Sequence, residues 1–182
     1  FATLAKLIHL DLSSNCVFRL DSGVLQSQRS LNTLRLHRNV LRRLAAGVFG
    51  NLSALQELRL DENRLTSLDT GGLFAGLGKL NSLSVAVNFV SRVAPDTFAG
   101  LVQLKTLNLS SNRLRSLNGS VRNCCRSLHT LDLAHNPVRD LSGQLLLTPL
   151  QGQTLGLRNT TPDTLPSLMS GMMLLYPFVE SV

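Results

Sequence analysis

The chain has 182 residues, room for one ordinary domain or a short repeat array, and it contains no tryptophan and only eight other aromatic residues (Phe 7, Tyr 1). Its 18 basic residues outweigh 11 acidic ones for a net charge of +7, which suits an acidic partner without naming one. No uninterrupted apolar run of 18 residues occurs, and the apolar stretch Leu165–Val179 is broken by Pro166 and Pro177, so no part of this chain is expected to insert in a membrane.

Reading along the chain, the same phrase returns six times. It runs LIHLDLSSNCV from Leu7, LNTLRLHRNVL from Leu31 and LQELRLDENRL from Leu55, then LNSLSVAVNFV from Leu80, LKTLNLSSNRL from Leu104 and LHTLDLAHNPV from Leu128. Successive starts are 24, 24, 25, 24 and 24 residues apart. Self-similarity at a fixed period of this length means a solenoid.

Each position in the phrase has a mechanical reason. Positions 3 to 7 predict a short strand, with the apolar residues at 4 and 6 on one face and their neighbours on the other. Position 9 is always asparagine: Asn15, Asn39, Asn63, Asn88, Asn112 and Asn136. An inward amide there satisfies backbone groups that the turn leaves unpaired, so these six are expected to form a ladder. In the second half of the unit, Phe49 with Leu52, Phe74 with Leu77, and Phe98 with Leu101 repeat an F-x-x-L pattern on the opposite side.

This phrase resembles the 24-residue leucine-rich repeat of animal extracellular proteins, including Toll-like receptor ectodomains and small secreted adhesion proteins. The resemblance covers Phe1 to about Leu141. It implies a leucine-rich-repeat solenoid of the α/β horseshoe type. The parallel sheet lies on the concave face, and the convex side is irregular or short helical. The expected division is repeats over 1–141 and a degenerate or irregular segment over 142–182. Leu155 and Leu157 there suggest a seventh strand, with Thr160 in the asparagine slot. Phe1 and Leu4 fall on the F-x-x-L of a preceding unit, and neither end carries a cysteine-rich cap, so the chain reads as part of a longer array. Signal and anchor are then expected outside it. The resemblance further implies an extracellular or lumenal glycoprotein, membrane-anchored or secreted, whose work is recognition.

No phosphate loop, nucleophile motif, paired carboxylates or metal-ligand spacing appears, so no enzyme, metal or cofactor is expected. Cys16, Cys124 and Cys125 have neither zinc-ligand nor C-x-x-C spacing. Cys16 is separated from the other two by four units, about 20 Å at the strand spacing of a sheet, whereas a disulfide needs Cα atoms within about 7 Å. His9, His37, His129 and His135 occupy scattered variable positions and read as surface residues.

Two sets of arginines are candidates for ligand binding. On the concave strands Arg35, His37 and Arg38 lie next to Glu57, Arg59, Asp61 and Glu62, a mixed-charge patch beside the smoother Ser82, Ser84, Ala86 and Val87. Along positions 10 to 13, where the chain leaves the strand, stand Arg19, Arg42, Arg43, Arg64, Arg92, Arg113, Arg115 and Arg139 against one acid, Asp140. Stacking would place these eight along one lateral edge. A protein partner is the first expectation; a polyanion, nucleic acid or sulfated glycan, is the alternative through that strip. Sequons at Asn51, Asn108, Asn118 and Asn159 are candidate glycosylation sites, with Asn108 expected on the concave face.

Overall fold

A computed structural model of the chain describes residues 3–117, 120–121, 127–139 and 154–158. Seven three-residue strands form one parallel sheet: β1 (His9–Asp11), β2 (Thr33–Arg35), β3 (Glu57–Arg59), β5 (Ser82–Ser84), β7 (Thr106–Asn108), β8 (Thr130–Asp132) and β9 (Thr154–Gly156). Two further strands, β4 (Ser67–Leu68) and β6 (Arg92–Val93), make a parallel pair of their own. No helix occurs among the described residues, so the outer side is built from turns.

Register follows the repeat. Leu10, Leu34, Leu58, Leu83, Leu107, Leu131 and Leu155 are successive partners across the sheet. Leu34, Leu58, Leu83 and Leu107 are fully buried, as are Leu36, Leu60, Val85, Leu109 and Leu133 two residues on. Leu10, Leu12 and Leu155 are only partly buried against the same core. On the opposite wall, the rings of Phe49, Phe74 and Phe98 stack in a column, with centroids 6.0 and 6.1 Å apart and planes within 11° and 6° of parallel. Leu52, Leu77 and Leu101 fill the space beside them without exposure.

The asparagine ladder holds the turns. Asn39, Asn63, Asn88, Asn112 and Asn136 are buried. In each, Oδ1 accepts a backbone N–H from the preceding unit (Val17, Leu41, Leu65, Val90 and Leu114, at 2.8–3.0 Å). Each Nδ2 donates to carbonyls of its own turn and to one in the unit before. Asn15 departs from the expectation of six inward amides. It is exposed and its side chain bonds locally, to the carbonyls of Leu12 and Ser13, with no bond among the described residues to another unit of the kind that covers Asn39.

One residue before each asparagine the backbone is left-handed: Ser14, Arg38, Glu62, Val87, Ser111 and His135 have φ between 52° and 57°. From there the chain crosses to the lateral edge, where a second backbone ladder runs between units. Arg64 N–H donates to the Leu41 carbonyl, Arg113 N–H to Val90, and Arg139 N–H to Arg115, each at 2.9 Å.

Candidate binding surfaces on the strand face and the lateral edge

On the strand face the alternation that buries the leucines turns their neighbours outward. Three of the described arginines there are engaged, while Arg158, exposed just after β9, has no ion pair to a described carboxylate. Arg35 lies 3.3 Å from Glu57 and 3.8 Å from Asp11, Arg38 lies 3.0 Å from Glu62, and Arg59 pairs with Asp61, which is itself buried. Hydrogen bonds from Ser13, with Arg35 nearby, hold the Asp11 carboxyl below its ordinary range. The hydrogen bond to Asp61 holds the Arg59 guanidinium still more firmly charged. This face is a lattice of neutralised charge. His37 departs from the surface reading of the histidines: it is half-buried, and its Nδ1 is shut off from solvent with no hydrogen-bond partner.

All eight lateral arginines are exposed. The backbone ladder sets Arg139 directly on Arg115 and places Arg64, Phe89 and Arg113 at equivalent positions of three successive units. Neighbours in such a row are about 5 Å apart along the solenoid. Two of the eight are neutralised by acids that lie just beyond the positions counted in the sequence. Arg19 pairs with Asp21 at 2.8 Å and Arg92 with Asp69 at 3.3 Å. Arg42, Arg43, Arg64, Arg113, Arg115 and Arg139 have no ion pair to a described carboxylate. The strip is therefore less positive than the sequence suggests, but among the described residues it keeps six cations without an ion pair, against Arg158 on the strand face.

A further pair of residues was not legible as a site. Val87 and Phe89 flank the buried Asn88, and the two residues are 52% and 42% exposed. The Arg113 guanidinium sits over the Phe89 ring, 4.8 Å from its centroid. Val87 is the one β-branched residue at the left-handed position, where such side chains are strained by about 1–3 kcal/mol. The signal in the sequence was an aromatic at position 10 between arginines at the same position in the units before and after.

The leucine rich repeat family matches the sequence over residues 29–88 and 78–138, together more than half of the chain. The chain belongs to the leucine-rich-repeat family. Among solved structures, it is similar to the APL1 leucine-rich repeat domain (25% identity, TM-score 0.74, covering 87% of this chain and 40% of that one). It also resembles the LRIM1/APL1C complex (26%, TM-score 0.67, 85% and 26%). A third likeness, to the TLR13–ssRNA13 complex (24%, TM-score 0.68, 93% and 30%), is one of fold. The chain thus spans less than half the length of each of these structures. No curated protein matches the sequence.

Within this leucine-rich-repeat frame the candidate sequons separate. Asn51 is exposed on an outer turn. Asn108 is a half-buried strand-face residue whose Oδ1 accepts from the Ser110 N–H and hydroxyl at 2.9 and 2.7 Å. Asn118, Asn159, Cys124, Cys125, Asp140 and Thr160 lie outside the described residues, as does most of 142–182. Cys16 is exposed with a free thiol. Among the described residues no group of three metal-ligating side chains converges, and no helix is long and apolar enough to cross a membrane.

Proposed function

We propose that this solenoid is a recognition segment of a receptor ectodomain of the Toll-like type, at a cell surface or within an endosome. Its lateral edge takes a protein or polyanionic ligand, and it performs no chemistry. The observation that carries the reading is the contrast between the two arginine sets. Arg35, Arg38 and Arg59 are neutralised on the strand face, while Arg42, Arg43, Arg64, Arg113, Arg115 and Arg139 stand along one edge with no ion pair to a described carboxylate. Several guanidinium groups in a row engage a polyanion or an acidic protein face through simultaneous contacts. The structural relatives include the TLR13–ssRNA13 complex and the LRIM1/APL1C complex, so both ligand classes have a precedent on this fold.

The test compares the parent with two variants: Arg42→Ala, Arg43→Ala, Arg113→Ala and Arg115→Ala combined, and Arg35→Ala with Arg59→Ala. Heparin and single-stranded RNA binding are measured at two salt concentrations. The edge variant should bind far more weakly, with a salt slope shallower by about three, while the strand-face variant stays close to the parent. Equal binding by both variants would refute the assignment. A second reading, an adhesion or scaffold protein that works by pairing with another protein, is favoured by the likeness to the LRIM1/APL1C complex. It predicts that neither polyanion binds the parent at low salt.

A further inference from the structure

The turn around Asn88 carries two features that the fold does not use. Every unit needs a left-handed residue just before its asparagine, and five of the six observed are Ser, Arg, Glu, Ser and His. Val87 alone is β-branched, and it turns its side chain to solvent. Two residues later Phe89 is also exposed, in a row whose neighbours are Arg64 and Arg113. Neither side chain joins the core, and a serine or asparagine at position 87 would relieve the backbone without loss of packing.

We infer that Val87, at the strand-face side of the turn, and Phe89, on the lateral edge, form the apolar anchor of a protein interface where the two surfaces meet, and that the partner presents an apolar side chain set between carboxylates. The inference rests on the edge being the ligand surface. Aromatic anchors with arginine around them are the composition of interface hot spots. Arg42, Arg43, Arg64, Arg113 and Arg115, which have no ion pair to a described carboxylate, call for acids in the occupant. A second copy of this chain is a poorer source, because six of its eight described acids, Asp11, Asp21, Glu57, Asp61, Glu62 and Asp69, are engaged by its own arginines, leaving Asp96 and the half-buried Asp132. Single-stranded nucleic acid fits less well. One face of the Phe89 ring is covered by the Arg113 guanidinium, and Val87 offers no surface for base stacking.

The experiment uses a labelled acidic peptide with a central Leu-Phe pair flanked by Asp and Glu, the same peptide with Ser-Ser at its centre, and heparin. Polarisation is read for the parent, for Val87→Asn with Phe89→Ala, for Val87→Asn alone, and for Val102→Ser, an exposed apolar residue on an outer turn. The double variant should bind the Leu-Phe peptide about tenfold more weakly and bind heparin as the parent does. Val87→Asn alone should weaken peptide binding while raising the melting temperature, a combination that a purely structural role forbids. Val102→Ser should change neither. The anchor is overturned if the parent does not bind the Leu-Phe peptide or does not prefer it over the Ser-Ser peptide. It is equally overturned if the double variant binds as the parent does. Heparin reads the arginine edge separately, so its failure to bind would count against the edge and leave the peptide arm to judge the anchor.

Discussion

The Asn63 side chain accepts the Leu41 backbone N–H at 3.0 Å and so ties the turn of one unit to the edge of the unit before. Its Nδ2 donates to the carbonyls of Leu36, Leu60 and Asp61 at 2.9–3.2 Å. Asn63→Ala leaves these buried groups without partners and should cost about 3 kcal/mol in urea unfolding. Asn63→Asp should cost more at neutral pH, because a carboxylate keeps the acceptor but turns a negative oxygen toward three carbonyls. The folded pKa of that introduced acid is raised above its unfolded value. The penalty is therefore complete above the folded pKa and is relieved as pH falls through it. An Asp variant as stable as Ala at pH 7 would mean that the ladder tolerates a turned side chain.

Three glycines should separate conformational from steric cost. An added Cβ at Gly78 meets nothing within 4 Å, so Gly78→Ala should be neutral or stabilising by about 0.5 kcal/mol. At Gly47 the space is open but φ is +67°, and alanine should cost about 1 kcal/mol. At Gly76 φ is +88° and the Cβ would come within 2.6 Å of the Gly50 carbonyl oxygen, backbone that cannot yield. Gly76→Ala should be the worst of the three, by about 3 kcal/mol. Thermal unfolding of the three variants ranks them, and an order other than Gly78, Gly47, Gly76 would contradict the packing of the outer turns.

Phe74 is stacked on both sides, by Phe49 and by Phe98. Phe74→Ala should cost about 4 kcal/mol, the range for a fully buried ring. Because the three rings share one column, Phe74→Ala and Phe98→Ala should not add: the second truncation removes contacts the first has already loosened. A denaturation cycle with an interaction energy near zero would show that the rings pack independently.

How much of this was legible depends on whether a residue acts through its period or through its neighbours. Leu58, Asn63 and Phe74 recur at fixed intervals, and burial follows from the interval alone. Asn15 shares the pattern but not the burial, because the covering unit is a tertiary matter. The edge was harder still. Asp21 and Asp69 stand beyond the four positions that carry the arginines; Asp21 reaches Arg19 from two residues along, but only the stacking of units brings Asp69 to Arg92. Val87 read as one more apolar residue on a smooth unit; its left-handed backbone gives no sign in the sequence, since every other unit places a different residue there.

The two acids of the edge give the last prediction. Asp69 lies 3.3 Å from Arg92 and removes one positive charge from the strip, as Asp21 does at Arg19. Asp69→Asn and Asp21→Asn together should strengthen heparin binding severalfold at low salt and steepen its salt dependence, since two more arginines become available for counterion exchange. The pair at Asp69 also sets a pH rule. The Ser67 hydroxyl donates to its carboxylate at 2.6 Å and, with Arg92 and Arg43 nearby, holds its pKa below the ordinary value. A depressed carboxyl stays charged as pH falls through the usual range and protonates only below it. Mild acidification should thus leave Arg92 neutralised in the parent. In Ser67→Ala the carboxyl should rise toward its ordinary value, and the gain in heparin binding should set in at a higher pH. Carboxyl titration by NMR together with heparin binding across the acid range checks both halves, and identical titration of Asp69 in parent and Ser67→Ala would contradict the serine's role.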